Sequence, residues 1–183
     1  MAGGGGTRLW PVSRQATPKQ MLKLFDTRSL FQISTERLKD IFPQQQIFVV
    51  TTSVQAKELW KQVPHLPVEN YLLEPAPRGT AAVVAMAAAA IQKRDPQAVL
   101  AVLTADHFIE NVAGFQNALL AANDLAKNGY VVTLGIKPTY AATGYGYVES
   151  GERLGEFHGL TGFQLRRFVE KPDASRARSF LEN

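Results

Sequence analysis

The chain has 183 residues, 45% of them hydrophobic and 20% charged, which suits one globular domain with a sizeable core. Its net charge of +4 is too mild to argue for nucleic acid, and its lack of cysteine excludes a disulfide framework, a thiolate nucleophile and a Cys-ligated zinc. The longest small-apolar run, Ala81 to Ile91, is too short to span a bilayer, so neither a membrane nor nucleic acid is expected as a partner. The N-terminus shows no basic region followed by an apolar one, which together with the missing cysteines fits a cytoplasmic protein.

The first element is a glycine run, Gly3-Gly4-Gly5-Gly6, followed by Thr7 and Arg8. Four glycines leave the backbone free to take positive φ and carry no Cβ to keep a ligand away. Their N–H groups can turn inward together around an anion. Thr7, Arg8, Arg14 and Lys19 add a hydroxyl and three cations, the makings of a polyphosphate site. The run fits neither the P-loop nor the dinucleotide fingerprint, and on glycines alone a flexible linker is an equal reading. A linker, however, needs no Thr7-Arg8-Leu9-Trp10-Pro11 and no second cluster at Ser13-Arg14 and Pro18-Lys19-Gln20.

Downstream, strands and helices alternate. Ile47 to Thr52 is β-branched and reads as a buried strand, and Val54 to Gln62 as a helix. Tyr71-Leu72-Leu73 is a second short strand, ended by Glu74-Pro75. Thr80 to Lys93 is Ala-rich, hence helical, with a small face able to pack close to a sheet. Val99 to Leu103 is a third apolar strand, stopping before Asp106. Phe115 to Lys127 is a helix with Leu119, Ala122 and Leu125 on its apolar face. Val131 to Leu134 is a fourth strand; Tyr145 to Glu149 and Gln164 to Val169 are strands flanking a Gly-rich turn region. Asp173 caps a last helix running to Leu181. Such alternation, with fully apolar strands, predicts an α/β fold with a mostly parallel sheet covered on both faces. Ligands of such sheets bind beyond the carboxyl ends of the strands, so the glycine loop, Glu74, Asp106 and Gly135 should meet on one rim.

Gly3 to Arg14 and Pro18-Lys19-Gln20 together resemble the signature of the sugar-1-phosphate nucleotidylyltransferases. The Trp-Pro-x-Ser-Arg and Pro-Lys-Gln variants are similar to the bacterial mannose-1-phosphate guanylyltransferase branch. Leu30, Gln32, Thr35 and Arg37 continue the pattern. So do Glu74-Pro75 with Arg78 and Thr80, Ala105-Asp106-His107, Gly135-Ile136 with Pro138-Thr139, Thr143 to Tyr147, and Phe168 to Pro172.

The resemblance implies a Rossmann-like α/β/α sandwich, with residues 1–183 as one partial catalytic domain, shortened at both ends: the family has a hydrophobic strand before the glycine loop and continues past Asn183 with a second metal-binding aspartate. A sheet without its first strand would leave edges unpaired, so poor solubility or low stability is expected.

The resemblance further implies attack of a mannose 1-phosphate oxygen on the α-phosphorus of GTP, with Mg²⁺, releasing pyrophosphate. Such transfers need positioning and charge neutralisation more than covalent help. Arg8 would meet the β/γ-phosphates with its planar fork. Lys19 would stand near the α-phosphate. Asp106 would hold the metal, which prefers one or two carboxylates plus phosphate oxygens and water. These three are the catalytic candidates. Gly3, Gly4, Gly5, Gly6, Thr7 and Arg8 would cradle the nucleotide. Glu74, with Arg78 and Thr80, would read guanine through its N1–H and 2-amino group. Gly146, Glu170 and Lys171 would form the sugar-phosphate half. His107 reads as structural or positioning, since a sugar phosphate is already ionised; His65 and His158 read as surface residues. Thr104, Gly79 and Ala82 depart from the branch's proline, asparagine and proline. A sister enzyme with another nucleotide or hexose phosphate, and a non-catalytic nucleotide binder, are the alternatives. A nucleic-acid module ranks last, for want of aromatics interleaved with the cations. A homo-oligomer is compatible with the sequence.

Overall fold

A computed structural model describes residues 1–3, 10–14, 17–76 and 78–182. The chain forms two compact units, Met1–Val112 and Ala113–Asn183.

In the first unit, β1 (Val49–Thr52) pairs in parallel with β2 (Tyr71–Glu74), Val49 opposite Tyr71 and Thr52 opposite Glu74. The connection passes through helix α2 (Ser53–Gln62), whose Leu59 is fully buried. The start of the chain lies on the other side of β1. The Ala2 N–H donates to the Val50 carbonyl at 2.8 Å, Met1 N donates to the Leu103 carbonyl at 2.8 Å, and the Ala105 N–H donates to the Met1 carbonyl at 3.2 Å. Met1 and Ala2 are thus bonded to both neighbours, the segment leading into the glycine run occupying a position between β1 and residues 103–105. Helix α3 (Thr80–Gln92) packs as its alanines predict: Val83 and Ala87 lie against Val50, with Leu72, Met86 and Met1 around them. It starts at Gly79, whose φ of +84° and ψ of 177° fall in a region essentially reserved for glycine.

A short helix whose apolar spacing does not mark it, α1 (Leu30–Glu36), precedes β1. Ser29 and Gln32 form a reciprocal capping box: the Gln32 N–H donates to Ser29 Oγ at 3.1 Å, and the Ser29 N–H to Gln32 Oε1 at 2.8 Å. Both side chains also reach the end of α2 at Gln62.

The second unit holds α4 from its second residue onward (Val112–Lys127), an antiparallel hairpin of β3 (Tyr147–Phe157) and β4 (Leu160–Val169), and α5 (Ala174–Glu182). The hairpin turns at His158 and Gly159, with φ of +50° and +76° as a tight two-residue turn requires. The buried residues of α4 are Leu119, Ala121 and Leu125; Ala121 takes the place expected for Ala122. Asp173 caps α5 as expected, Oδ1 accepting from the Arg176 N–H at 2.9 Å.

Two expected strands are corrected. Neither Val99–Leu103 nor Val131–Leu134 is a strand among the described residues. Apolar side chains favour an extended chain, but a strand also needs a ladder of partners. Among the described residues, 99–103 find a backbone partner at their end, through Met1, and Val131 is fully exposed. The hairpin strands also run well beyond the predicted 145–149 and 164–169, through glycines that read as a turn region.

Candidate functional site

The nucleotide-handling candidates of the first unit gather at strand ends. Ala2 and Gly3 continue from the backbone bonds beside β1, and Glu74 is the last residue of β2. Asp106 follows Ala105, which is bonded to Met1. The loop that precedes Lys19 is closed by paired bonds between Arg14 and Thr17, and Lys19 opens a short 3₁₀ turn, Lys19–Met21, behind the buried Pro18.

Four buried polar side chains shape the entry to the glycine run. Gln20 Nε2 donates to the Ala2 carbonyl at 2.6 Å and to Gln55 Oε1 at 3.1 Å. The Thr51 hydroxyl donates to the same Ala2 carbonyl at 3.2 Å. Glu74, only 7% exposed, places Oε1 where a Cβ on Gly3 would stand. Gly3 is therefore a glycine because a carboxylate uses the space beside it. Gln20 is absent from the expected site, although it lies inside the Pro-Lys-Gln motif; nothing in composition says which carbonyl it binds.

Lys19 Nζ lies 3.1 Å from Asp106 Oδ2, both side chains about a third exposed. Partial burial raises the Asp106 carboxyl, but the hydrogen bond and charge of Lys19, with the charge of His107, outweigh it and hold the group below its ordinary value of 3.8. An ion pair this exposed contributes at most about 1 kcal/mol, so its interest lies in where it puts the two groups. Arg37, 5% exposed, donates from Nη1 to the His107 carbonyl at 2.8 Å. Arg78 and Thr80 are exposed at the start of α3, after β2. Gly4, Gly5, Gly6, Thr7 and Arg8 lie outside the described residues.

The sugar-phosphate candidates sit together in the second unit. A Cβ on Gly146 would meet the Phe168 ring and lie 2.9 Å from Glu170 Oε2. The absence of a side chain at this position thus leaves room for the Phe168 ring and the Glu170 carboxylate. Glu170 Oε1 pairs with Lys171 Nζ at 3.1 Å, both well exposed. Lys171 has φ of +43° and donates its N–H to the Tyr145 carbonyl, a strained backbone for a lysine. The Tyr147 hydroxyl donates to the Ala142 carbonyl and accepts from the Ala142 N–H, pinning the loop through Gly144 and Gly146. His158 is exposed, as expected, and faces Asp124 at 3.1 Å.

No group of three or more His, Cys, Asp or Glu side chains able to enclose a metal occurs among the described residues. No helix there is long and apolar enough to cross a membrane.

A family model described as nucleotidyl transferase matches residues 1–183. A mannose-1-phosphate guanylyltransferase of Escherichia coli is 37% identical over 186 residues, covering 100% of this chain and 40% of that protein. One from Sinorhizobium fredii is 40% identical over 191 residues, covering 100% and 35%. The chain thus spans about two fifths of the length of such relatives. Among solved structures, a protein described as mannose-1-phosphate geranyltransferase from Thermus thermophilus superposes with a TM-score of 0.86 at 33% identity, over 100% of this chain and 52% of that one. The α/β fold expected from the alternating elements, of the nucleotidyltransferase type that the resemblance implies, is therefore the fold observed.

Proposed function

This chain belongs to the nucleotidyl transferase family, and from that premise we propose that it handles the nucleotide in a cytoplasmic guanylyl transfer. A mannose 1-phosphate oxygen attacks the α-phosphorus of GTP, the bond to the β-phosphate breaks, and pyrophosphate leaves as GDP-mannose forms. The observation that carries this reading is the pairing of Lys19 with Asp106 beside the entry to the glycine run.

Each residue has a task that its chemistry suits. The glycines Gly3 to Gly6 and Thr7 cradle the triphosphate, and Arg8 takes its β/γ-phosphates bidentately. Lys19 neutralises charge building at the α-phosphate. Glu74, buried at the end of β2, accepts from the guanine N1–H and 2-amino group, flanked by Arg78 and Thr80. Gly146, Glu170 and Lys171 serve the sugar phosphate, Lys171 as its point charge. Asp106 fits Mg²⁺: one accessible carboxylate and no protein cage among the described residues suit a hard cation that brings waters and takes phosphate oxygens as its other ligands. When bound, Mg²⁺ would supply further neutralisation of the phosphates.

Calorimetric titration with GTP, ATP, UTP and dTTP, each with Mg²⁺, tests the reading. Selective GTP binding, followed by pyrophosphate release only when mannose 1-phosphate is added, is the expected outcome. Equal binding of all four nucleotides would overturn the role of Glu74. Selective GTP binding without pyrophosphate release would mark a binder instead of a transferase.

A further inference from the structure

Three consecutive residues, Asp106, His107 and Phe108, are each gripped by a side chain from the single segment 19–37. Lys19 Nζ meets Asp106 Oδ2 at 3.1 Å. Arg37 Nη1 donates to the His107 carbonyl at 2.8 Å. Phe25 stacks on Phe108 with ring centroids 4.0 Å apart and planes 27° from parallel.

This grip is needed because residues 106–108 lie outside any strand, in a turn that no ladder orients. The ties also differ in kind. Lys19 is exchangeable: a triphosphate competes for its ammonium, and a cation competes for the carboxylate. Arg37 and Phe25 hold atoms that no ligand in the proposed reaction claims. Arg37 is moreover costly to keep. It caps α1, its N–H donating to the Ile33 and Thr35 carbonyls, and it is 5% exposed, so a full positive charge has been largely withdrawn from water. The Phe25–Phe108 pair is not core packing, each ring being more than half exposed (55% and 52%).

We infer that Arg37 is a positioning residue, holding the Asp106 carboxylate in place through the His107 carbonyl, with the Phe25–Phe108 stack as a second brace that persists when Lys19 leaves. The inference rests on the proposed role of Asp106. Its action parallels that of outer partners of metal ligands, whose removal typically weakens metal affinity or activity about 10-fold to 100-fold.

The test uses the full chain and the variants Arg37→Met, Arg37→Lys and Phe25→Ala. Two quantities are read: hydrogen exchange of the peptide covering 104–110, and Mn²⁺ affinity in the presence of GTP by paramagnetic relaxation. Arg37→Met should speed exchange in that peptide and weaken Mn²⁺ about 10-fold or more, with β1 and β2 exchanging as before. Arg37→Lys, which keeps a donor and the charge, should recover most of both. Phe25→Ala, at an exposed site, should produce the same pattern more weakly. Wild-type exchange at 104–110 in both Arg37→Met and Phe25→Ala overturns the inference, as does faster exchange with unchanged Mn²⁺ affinity. Faster exchange spread equally over β1 and β2, with Arg37→Lys no better than Arg37→Met, reduces Arg37 to a structural residue. A wild-type chain that binds neither GTP nor Mn²⁺ would refute the proposed function instead, while the exchange measurement still decides whether the brace exists.

Discussion

Lys19 Nζ and Asp106 Oδ2 lie 3.1 Å apart, so that under the proposed function the ammonium stands where a cation would bind and the carboxylate where a phosphate would. Both groups, proposed to act at the phosphates, are thus held as a pair, and under that proposal binding of a metal nucleotide separates them.

Replacing one partner should therefore have effects of opposite sign on two measurements. Lys19→Met should tighten Mn²⁺ binding to the nucleotide-free chain severalfold, because Asp106 is no longer shared. It should lower nucleotidyl transfer about 100-fold or more, the usual cost of a lost charge stabiliser. Relaxation titration and a pyrophosphate-release assay check the two arms. Weakened Mn²⁺ binding in the variant would refute the exchange.

The same pair sets a pH dependence. The Asp106 carboxyl is held below its ordinary 3.8, so its contribution to folding is fully present above that value and is lost as the pH falls through the depressed one. In Lys19→Met, where partial burial acts without the lysine, the titration should move upward. The carboxyl carbon shift of Asp106, followed by NMR across acid pH, reads this directly, and an unmoved midpoint would contradict it.

Gly3→Ala should act on the base in addition to the triphosphate that Gly3 is proposed to help cradle. The new Cβ needs the space that Glu74 Oε1 holds, so the carboxylate must turn away. Losing a hydrogen-bonded charged acceptor costs about 1.5–3 kcal/mol, so GTP should lose roughly tenfold or more affinity beyond what ATP loses. Comparative calorimetry with the two nucleotides decides the matter.

Tyr71→Phe should be neutral or stabilising by about 1 kcal/mol. The Tyr71 hydroxyl is buried and lacks a hydrogen-bond partner among the described residues, and burial pushes its pKa up to about 12. Deleting it removes an unmet desolvation cost and leaves the ring. Urea unfolding would show a clear loss of stability if the hydroxyl were in fact satisfied.

Ser29→Ala removes both the cap of α1 and the bond from Ser29 Oγ to Gln62 Oε1. It should cost about 1–2 kcal/mol, measured by the same unfolding. The capping box is also a lesson in legibility. Ser29-x-x-Gln32 has the form of a capping box, but the helix it opens is only 7 residues long, too short for an apolar period to mark it in the sequence. Where the period is long or the composition extreme, as in α3 and α4, the elements stand out from sequence. Residues 99–103 and 131–134 mislead for the opposite reason: their composition favours a strand, but only partners make one. The candidate site divides likewise. Motif order points to Lys19, Glu74 and Asp106; Gln20 and Arg37 act through backbone carbonyls of distant residues, and a carbonyl carries no residue-type signal.

The bonds of Met1 and Ala2 also bear on how the molecule comes to fold. Met1 N reaches the Leu103 carbonyl across 102 residues of chain. Closing so long a loop is entropically unfavourable and slow compared with forming helices or the β3–β4 hairpin. Synthesis proceeds from the N-terminus, so the residues that lead into the glycine run are made early and must wait for residue 103 before both their neighbours exist. The pairing of Met1 and Ala2 with both their neighbours is consequently a late product of folding, completed only as the first unit closes.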